Sequence, residues 1–362
     1  MTVLDEMNRP RTRIDYRRLA SDIKIWAQEL GFSGIGITGV SLPEDEARLR
    51  DWLERGFHGT MDYMGRHGTK RSRPAELMPG TVRVIAVRMD YLQEPMAGAH
   101  AVLADPRLGY VSRYALGRDY HKVLRGRLRR LVSRIEEIAG PSGHRVFADS
   151  APVLEKALAR NAGLGWIGKH SNLISRDRGS WFFLGEVYTD LPLPIDPPQG
   201  RQHCGRCTAC MAVCPTAAIV APYQVDARLC ISYLTIELCG PIPVALRPLI
   251  GNRIYGCDDC QLACPWNRFA RLSCERDFAP RHGLDAPRLT DLFSWSEIEF
   301  GKRTEGSAIR RIGYSSWLRN VAVALGNAPT SAAVVQALAS RASDPSDLVR
   351  EHVQWALSRH GA

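Results

Sequence analysis

Ten cysteines, all between Cys204 and Cys274, are the residues whose types and spacing most directly indicate chemistry. The first run, residues 204–215, reads C-x2-C-x2-C-x3-C-P, which is the spacing of bacterial ferredoxins. Such short spacings wrap one loop around a cubane and bring three thiolates to three irons. A zinc site in one tight loop and a plain buried thiol cluster are the alternatives. The spacing favours iron–sulfur chemistry over both.

A second run, residues 257–265, reads C-x2-C-x3-C-P and lacks its leading cysteine, for which Cys230 is the predicted replacement. In two-cluster ferredoxins the fourth cysteine of each run ligates the other cluster. That crossing predicts two 4Fe–4S clusters. Their ligand sets are Cys204, Cys207, Cys210 and Cys264 for the first cluster, and Cys214, Cys230, Cys257 and Cys260 for the second. Cys239 and Cys274 remain as ordinary half-buried thiols, although Cys239 alternatively borders a cofactor.

Asp149 is the candidate for proton transfer in the N-terminal part of the chain. It ends a predicted strand, and ligands bind at strand ends in open α/β sheets. A carboxyl group there, beside apolar neighbours, could hold a raised pKa and donate a proton. The alternative is a helix N-cap, with Asp149 or Ser150 capping a helix that Pro152 begins. Three glycines around Trp166 indicate either close backbone approach to a flat ligand or a plain turn.

The elements that must position these groups alternate between helix and strand, which predicts an α/β domain over residues 1–192. A proline-rich stretch at 191–198 leads into a ferredoxin-like two-cluster domain over 193–280. Short paired helices then predict an α-helical, HEAT-like repeat domain over 281–362. In the first domain we expect helices at 19–30, from 43, at 120–138 and at 152–162, and strands at 33–38, 82–91, 145–149 and 181–188.

Residues 34–39 match the dinucleotide fingerprint G-x-G-x-x-G literally. That fingerprint needs a strand before it and a helix that opens on its last glycine. Here a predicted helix precedes the motif and the motif is itself the predicted strand. We therefore expect no nicotinamide or flavin site at this position.

The 362-residue chain carries 48 Lys and Arg against 38 Asp and Glu, a formal charge of +10. A single basic run is usually a solvated face, but several runs together favour a polyanionic partner, most plausibly nucleic acid. No apolar run reaches the roughly 18–20 residues of a membrane span, and the first residues are too charged for a signal peptide. We expect a cytoplasmic protein without membrane association. The basic runs are residues 9–18 and 66–73 and the set Lys302, Arg303, Arg310, Arg311 and Arg319.

The chain resembles the epoxyqueuosine reductase family over nearly its whole length. The residues that carry the resemblance flank the motifs: GYVSRYALGRDYHKVL at 109–124, the stretch 149–169, CISYLT at 230–235 and GNRIYGCDDC at 251–260. The resemblance implies reduction of epoxyqueuosine to queuosine at the wobble position of tRNA, the last step of queuosine biosynthesis. It also implies a cobalamin bound between the α/β and ferredoxin-like domains, with electrons passing from the clusters to cobalt. Asp149 then donates a proton to the departing oxygen.

The resemblance also implies individual contacts. The implied cobalamin contacts are Arg71, Ser112, Asp149, Ile174, Gly185, Tyr188, Ser232, Cys239 and Asp258, and Glu237 is implied to touch tRNA. Residues 119–124 approach the D-x-H-x-x-G motif of cobalamin proteins, but Leu124 stands where the glycine belongs. We therefore predict no histidine on cobalt, an open lower face, and His121 as a surface or structural residue. The cluster beside Asp258 is predicted to face the cobalt.

Two other functions compete with this interpretation. A cobalamin-dependent reductive dehalogenase shares the plan of two clusters and cobalamin, but it usually carries an export signal and needs no polyanion site. A pure electron carrier or tRNA-binding scaffold would bind no cobalamin and would tolerate Asp149→Asn. The partners we expect are tRNA carrying epoxyqueuosine and an external electron donor. We expect the protein itself to be a monomer.

Overall fold

The computed structural model describes residues 14–199 and 202–361. Residues 9–13 of the first basic run lie outside this part. The N-terminal region contains seven helices and seven strands. The helices are α1 (Tyr16–Glu29), α2 (Pro43–Glu54), α3 (Tyr63–Arg66), α4 (Pro74–Leu77), α5 (Met96–Ala104), α6 (Tyr120–Ala139) and α7 (Glu155–Asn161). The strands are β1 (Gly34–Thr38), β2 (Arg83–Asp90), β3 (Tyr110–Val111), β4 (His144–Phe147), β5 (Trp166–Ile167), β6 (Leu173–Ile174) and β7 (Phe182–Thr189).

A four-stranded sheet in the order β1-β2-β7-β4 forms the centre of this region, and each neighbouring pair is antiparallel. On one face, Ile23 of α1 and Leu128 of α6 pack with Val187 in an apolar core. On the other face, α7 contributes Leu158 to a second core. Because both faces are covered, β7 is buried at all eight positions instead of alternating. The predicted combination of helices and strands is confirmed.

The predicted elements agree with the structure apart from the segment after β4. That segment was predicted to be helical from Pro152, but α7 begins at Glu155, so Asp149 and Ser150 cap no helix. Asp149 instead has a φ of 55°, in the left-handed region that non-glycine residues rarely adopt. The N-cap alternative is therefore wrong, and Asp149 instead holds a strained backbone conformation.

The glycine-rich segments serve packing within the chain. Residues 34–38 form strand β1, as expected, and a Cβ at Gly36 would lie 1.9 Å from the carbonyl oxygen of Ala162. At Gly165 a Cβ would lie 2.2 Å from the carbonyl oxygen of Ile174 on the partner strand. Both glycines therefore permit close contact with the protein's own backbone, which supports the turn interpretation around Trp166.

The middle region is rich in loops and is attached to the N-terminal region by a parallel pairing of β10 with β3. A π-helical turn spans Tyr233–Glu237, and such turns are frequent at functional sites. The elements here are α8 (Ala209–Val213), β8 (Ile219–Ala221), β9 (Gln224–Val225), α9 (Arg247–Ile250), β10 (Arg253–Tyr255) and α10 (Asp259–Leu262).

The C-terminal region is helical, as predicted, and its HEAT-like character stays a prediction. Trp295 and Trp317 stack in its core with their ring centroids 5.6 Å apart. The same core includes Val111 and Ile254, so it is continuous with β3 and β10. The helices are α11 (Leu289–Ser294), α12 (Glu297–Arg303), α13 (Gly313–Asn327), α14 (Ala332–Ala339) and α15 (Asp347–Arg359). None of the helices in residues 14–199 and 202–361 is long and apolar enough to cross a membrane.

Arg319 does not belong to the exposed basic edge on which we expected it. Its side chain is completely buried, and its guanidinium donates to the carbonyl oxygens of Leu234 at 2.8 Å and Gly240 at 2.7 Å, and also to that of Leu238. Helix α13 thereby holds both ends of the segment that contains the π-helical turn. The expectation of a phosphate contact at Arg319 is wrong because no part of the side chain reaches solvent.

We expect Arg319→Met to destabilise the protein by about 3 kcal/mol or more, because each buried carbonyl oxygen left without a donor costs about 1–3 kcal/mol. Urea unfolding followed by circular dichroism measures the difference. The matched control is Arg359→Met, which removes an exposed arginine of α15. Equal stability of the two variants would show that the three carbonyl contacts contribute nothing.

Candidate active site and metal centres

The first predicted ligand set surrounds one cavity. A cavity of about 230 Å³ is lined by Cys204, Cys207, Cys210 and Cys264, so the last cysteine of the second run joins three from the first run. Lys169 reaches over from the N-terminal region and its Nζ donates to the carbonyl oxygens of Gly205 at 2.7 Å and Cys207 at 2.9 Å. These two bonds fix the cysteine loop against the sheet region. The lining thus has the membership that the crossing rule requires.

The second predicted set lies deeper in the loops around α10. Cys230 and Cys257 contact the same apolar cluster, and the thiol of Cys260 lies near those of Cys214 and Cys230. Cys210 of the first set is also close to Cys260, so the two sets adjoin. Burial raises the pKa values of the metal-free Cys257 and Cys260 thiols. In residues 14–199 and 202–361, no three His, Cys, Asp or Glu side chains converge as ligands of a single metal ion.

The crossing of the runs gives a specific prediction. Cys264→Ser and Cys204→Ser, which lie in different sequence runs, are expected to remove the same cluster and lower the bound iron from about eight to about four per chain. The double variant is expected to lose no more iron than either single one. Iron analysis with EPR of the reduced protein measures this. A double variant without iron would assign the two cysteines to different clusters.

Asp149 lies in a polar pocket formed by the segment after β4 and the start of α6. Its carboxylate accepts a hydrogen bond from the hydroxyl of Tyr120, and His121 Nε2 lies 3.1 Å from Asp149 Oδ2. The Asp149 side chain is 50% exposed, whereas the His121 side chain is 1% exposed. The carboxylate can therefore meet a molecule from outside while its hydrogen-bonding partner remains inside the protein.

The expectation of a raised pKa at Asp149 is wrong for this structure. Burial acts to raise the pKa, but the hydrogen bonds from His121 and Tyr120 outweigh it, and the pKa lies below its ordinary value. The raised values belong to two neighbouring carboxyl groups. Burial and the charge of Asp149 raise the pKa of Glu155 to about 7, and burial raises that of Glu186 well above its ordinary range. Neither glutamate had a motif that could reveal it in the sequence.

His121 was expected to be a surface or structural residue; it is buried in this site, so the surface alternative is wrong. Its Nδ1 lies 2.7 Å from Asp119 Oδ1, and its Nε2 lies 3.1 Å from Asp149. Arg311, from the C-terminal region, contacts both Asp119 and His121, and its Nη2 lies 3.0 Å from Asp119 Oδ2. Burial acts to lower the pKa of His121, but the hydrogen bonds to Asp119 and Asp149 prevail and raise it. The His121 ring therefore lies between two carboxylates, with the guanidinium of Arg311 3.0–3.1 Å from its two nitrogens.

This arrangement predicts how stability depends on pH. A histidine whose folded pKa is raised above about 6.5 stabilises the fold below that pH, and the contribution is lost as pH rises through the folded value. We expect the melting temperature of the wild type to exceed that of His121→Gln most at about pH 6, and the difference to shrink towards about pH 9. Thermal melts across this range measure it. A difference independent of pH would mean that His121 is not charged between the two carboxylates.

Arg71 and Glu237, two residues implied by the resemblance, lie near Asp149. Arg71 is buried and donates from Nη2 to the carbonyl oxygen of Tyr63 at 3.1 Å, while its Nε has no hydrogen-bond partner in residues 14–199 and 202–361. Glu237 accepts a hydrogen bond from Tyr63, and the charges of Asp149 and Arg311 are close enough to affect its pKa. Burial raises the pKa of Glu237 above its ordinary value. The three regions of the chain thus meet at one pocket.

The other implied contacts are spread over the surroundings of this pocket. Ser112 donates to Asp258 Oδ1 at 2.6 Å, so these two residues bond to each other in the interior. Ser232 is half-buried beside Cys230, and Cys239 is exposed after the π-helical turn. Three more are inside the protein. Ile174 lines the cavity of the first cysteine set, Gly185 packs on Leu128 within the sheet, and Tyr188 is buried with its hydroxyl unpartnered.

Comparisons with known proteins agree with this architecture. A family model described as "Epoxyqueuosine reductase QueG, DUF1730" matches residues 71–150, and one described as "4Fe-4S double cluster binding domain" matches residues 203–267. An epoxyqueuosine reductase of Pseudomonas aeruginosa is 62% identical over 347 residues, which cover 96% of this chain and 96% of the relative.

Two solved structures are similar in fold. The crystal structure of an epoxyqueuosine reductase with an epoxyqueuosine-modified tRNA-Tyr stem loop has a TM-score of 0.86 at 27% identity, covering 95% of this chain and 91% of that one. The Bacillus subtilis epoxyqueuosine reductase, with its catalytic loop swung out of the active site, has a TM-score of 0.86 at 28% identity and the same coverage of 95% and 91%.

The fold and the cysteine loops define an oxidoreductase with a double 4Fe–4S cluster binding domain. Within that class, the chain belongs to the epoxyqueuosine reductase family. The family, the enzyme class and the iron–sulfur cofactors expected from the sequence are confirmed.

Proposed function

We propose that this protein reduces epoxyqueuosine to queuosine in tRNA, in the cytoplasm, with two 4Fe–4S clusters and cobalamin. The observation that carries the proposal is the pocket of Asp149, where a half-exposed carboxylate meets Arg71, Glu237 and Arg311 from three regions of the chain. Removing an epoxide oxygen as water takes two electrons and two protons. Clusters held by the cysteine loops would supply the electrons, and the pocket of Asp149 would supply a proton.

The residues beside Asp149 fit a large polar cofactor. Arg71 has an Nε close to Asp149 that lacks a hydrogen-bond partner among the described residues, so a polar group of a bound cofactor can satisfy it. Bound cobalamin would supply low-potential two-electron chemistry at its cobalt. We assign Arg71, Ser232 and Cys239 to its direct surroundings. Ser112 and Asp258 would support it indirectly, through their mutual hydrogen bond.

Asp149 is proposed to give its proton to the oxygen that leaves the ring. In the resting site its pKa is low, so it must receive that proton before it can act as an acid. His121 is the adjacent candidate donor, because its hydrogen bonds to Asp119 and Asp149 raise its pKa. The left-handed backbone at Asp149 agrees with this proposal, because strained backbone conformations of non-glycine residues cluster at active sites.

We expect Asp149→Asn to lower turnover by about 10²–10⁴-fold, the usual contribution of a positioned general acid. Iron content and cobalamin binding should be retained, because Asn keeps the size and hydrogen-bonding capacity of the side chain. Single-turnover assays on epoxyqueuosine-containing tRNA measure the rate, and anaerobic absorption spectra measure the cofactors. A variant with the wild-type rate would remove Asp149 as the acid and would favour a scaffold or carrier role.

The exposed cations near the pocket are proposed to hold tRNA phosphates, and Glu237 to contact the nucleotide. Of the run 66–73, Arg71 is buried and Arg73 is bonded to Glu46 and Glu76, which leaves Arg66 and Lys70 exposed. In the C-terminal region Arg310 is exposed beside Arg311. A related reductase was crystallised with a modified tRNA stem loop, which supports the same substrate here. We propose that a monomer binds it.

Phosphate contacts release counterions, so tRNA affinity is expected to fall steeply with salt. Lys70→Gln and Arg310→Gln should each lower the slope of log affinity against log salt concentration by about one. The matched control is Arg130→Gln, which removes an exposed arginine of α6. Fluorescence anisotropy with a labelled stem loop measures the slopes. Unchanged slopes in both test variants would assign tRNA binding to another surface.

A further inference from the structure

The loop of the first cysteine set is open to solvent, while that of the second is enclosed. Residues 205–208, which include Cys207, are all exposed. Around Cys257 and Cys260, by contrast, Asp258, Asp259 and Gln261 are buried. Electrons from outside the protein therefore have their shortest access at the first set. This statement rests on the proposed function, in which both sets hold clusters that feed the reaction.

The two segments that carry the first cysteine set contain arginines and no acidic residues. The segment 202–223 contains no Asp or Glu and one arginine, Arg206, and the segment 264–274 contains no Asp or Glu and two arginines, Arg268 and Arg271. All three arginines are exposed, and Arg268 lines the cavity of the first set. In a chain with 38 acidic residues, such a stretch attracts an anionic partner.

Two aromatic side chains complete this surface. Tyr223 is 40% exposed and lies near Cys204, and Phe269 is 39% exposed beneath the guanidinium of Arg268, 4.6 Å from the ring centroid. Exposed aromatic rings together with arginines are typical of protein–protein interfaces. The residues that flank Asp149, such as Arg71 and Arg311, do not line this cavity. The pocket of Asp149, where tRNA is proposed to bind, is therefore separate from this surface.

We propose that the face formed by Arg206, Cys207, Tyr223, Arg268, Phe269 and Arg271, the electron-uptake face, docks an acidic one-electron carrier protein of the flavodoxin or ferredoxin class. In each encounter the reduced carrier loses one electron and the first cluster gains it, and no bond is formed or broken. Two encounters supply the two electrons that one epoxide consumes, and the two protons come from solvent through the active site.

The test uses the holoenzyme and a reduced flavodoxin of net negative charge, mixed anaerobically in a stopped-flow spectrophotometer. We expect Arg206→Glu/Arg271→Glu to slow cluster reduction at low salt by about tenfold or more, with the salt dependence of the rate reduced. The control Arg130→Glu, on α6, should leave the rate unchanged. Turnover driven by dithionite, which needs no docking, should be the same in all three proteins.

Each outcome is decisive. An unchanged flavodoxin rate in the double variant overturns the docking proposal. Weaker binding of the tRNA stem loop to the double variant, with the flavodoxin rate retained, overturns it in favour of a nucleic-acid surface. Failure of dithionite-driven turnover in the wild type would instead count against the proposed function, so the two failures are distinguishable.

An independent observation concerns His170, which lines the same cavity and is 5% exposed. The backbone amide of Asn172 donates to His170 Nδ1 at 3.1 Å, which places the proton of the neutral ring on Nε2. Burial and the charge of Lys156 lower the pKa of His170 to about 4, so the ring is neutral near pH 7. Its Nε2 has no hydrogen-bond partner among the described residues.

We infer that His170 Nε2–H donates a hydrogen bond to a sulfur of the first cluster. An unsatisfied buried donor costs about 1–3 kcal/mol, so its retention beside the four cysteines indicates an acceptor in the cavity. Hydrogen bonds to the sulfurs raise the reduction potential of iron–sulfur clusters because they stabilise the added negative charge. His170 thus makes the first cluster the easier one to reduce from outside.

An EPR-monitored redox titration tests this without any turnover. We expect His170→Leu to lower the equilibrium constant for reduction of the first cluster about tenfold, which is 59 mV for one electron. His170→Gln, which retains an N–H donor, should recover part of the shift. The control is His203→Leu, at a second histidine of the cavity lining, and it should shift the potential less. Equal potentials in the wild type and both His170 variants would overturn the inference, and so would a shift of the same size in His203→Leu.

Discussion

The carboxylate of Asp258 accepts three hydrogen bonds in the interior, from the hydroxyls of Tyr110 and Ser112 and from the amide of Arg113, at 2.6–2.8 Å. A buried carboxylate is tolerated only when it is satisfied in this way, so the cluster loop and the β3 segment must form together. Cys257 and Cys260 lie on either side of this residue in the sequence, and β10 ends three residues before it, at Tyr255. These three hydrogen bonds, together with the pairing of β10 with β3, therefore fix the second cysteine set relative to the N-terminal region.

Long-range contacts between chemically different groups place the remaining parts of the enzyme. Lys169 ties the first cysteine loop to the N-terminal region, and Arg319 ties the segment of Glu237 and Cys239 to the C-terminal helices. Each is a long side chain from one region that satisfies backbone carbonyl groups in another. Because such a contact needs both partners in place, the cysteine loops have little freedom to adopt another arrangement. These contacts hold the loop-rich middle region in place, although it contains little regular secondary structure.

Local patterns in the sequence predict much of the fold, and they predict the chemistry of the cysteines. Helical periodicity located α1 and α6, apolar runs located β2 and β7, and ferredoxin spacing indicated a ligand set that crosses between runs. The Asp149 pocket was harder to anticipate because its properties come from contacts across the fold. His121 follows Asp119 closely in the chain, yet its bridge to Asp149 and the approach of Arg311 require the tertiary structure. Glu186 is buried in a largely apolar strand, and no sequence motif marks it as part of the site. Arg319 was misassigned because charge in a sequence does not distinguish a solvated side chain from one that caps buried carbonyl groups.

The contacts of the C-terminal helices also bear on the order in which the protein matures during synthesis. The segment from Cys230 to Ile242 is held at Leu234, Leu238 and Gly240 by Arg319, and at the amide of Ile242 by Nε2 of His352, 3.1 Å away. His352 belongs to α15, more than a hundred residues after this segment in the sequence. Domains fold from the N-terminus as the ribosome makes them, but this segment lacks its final partners until the last helix has emerged. The sheet can therefore form before the loop that borders the catalytic pocket, because that loop completes its contacts only once α13 and α15 have been synthesised.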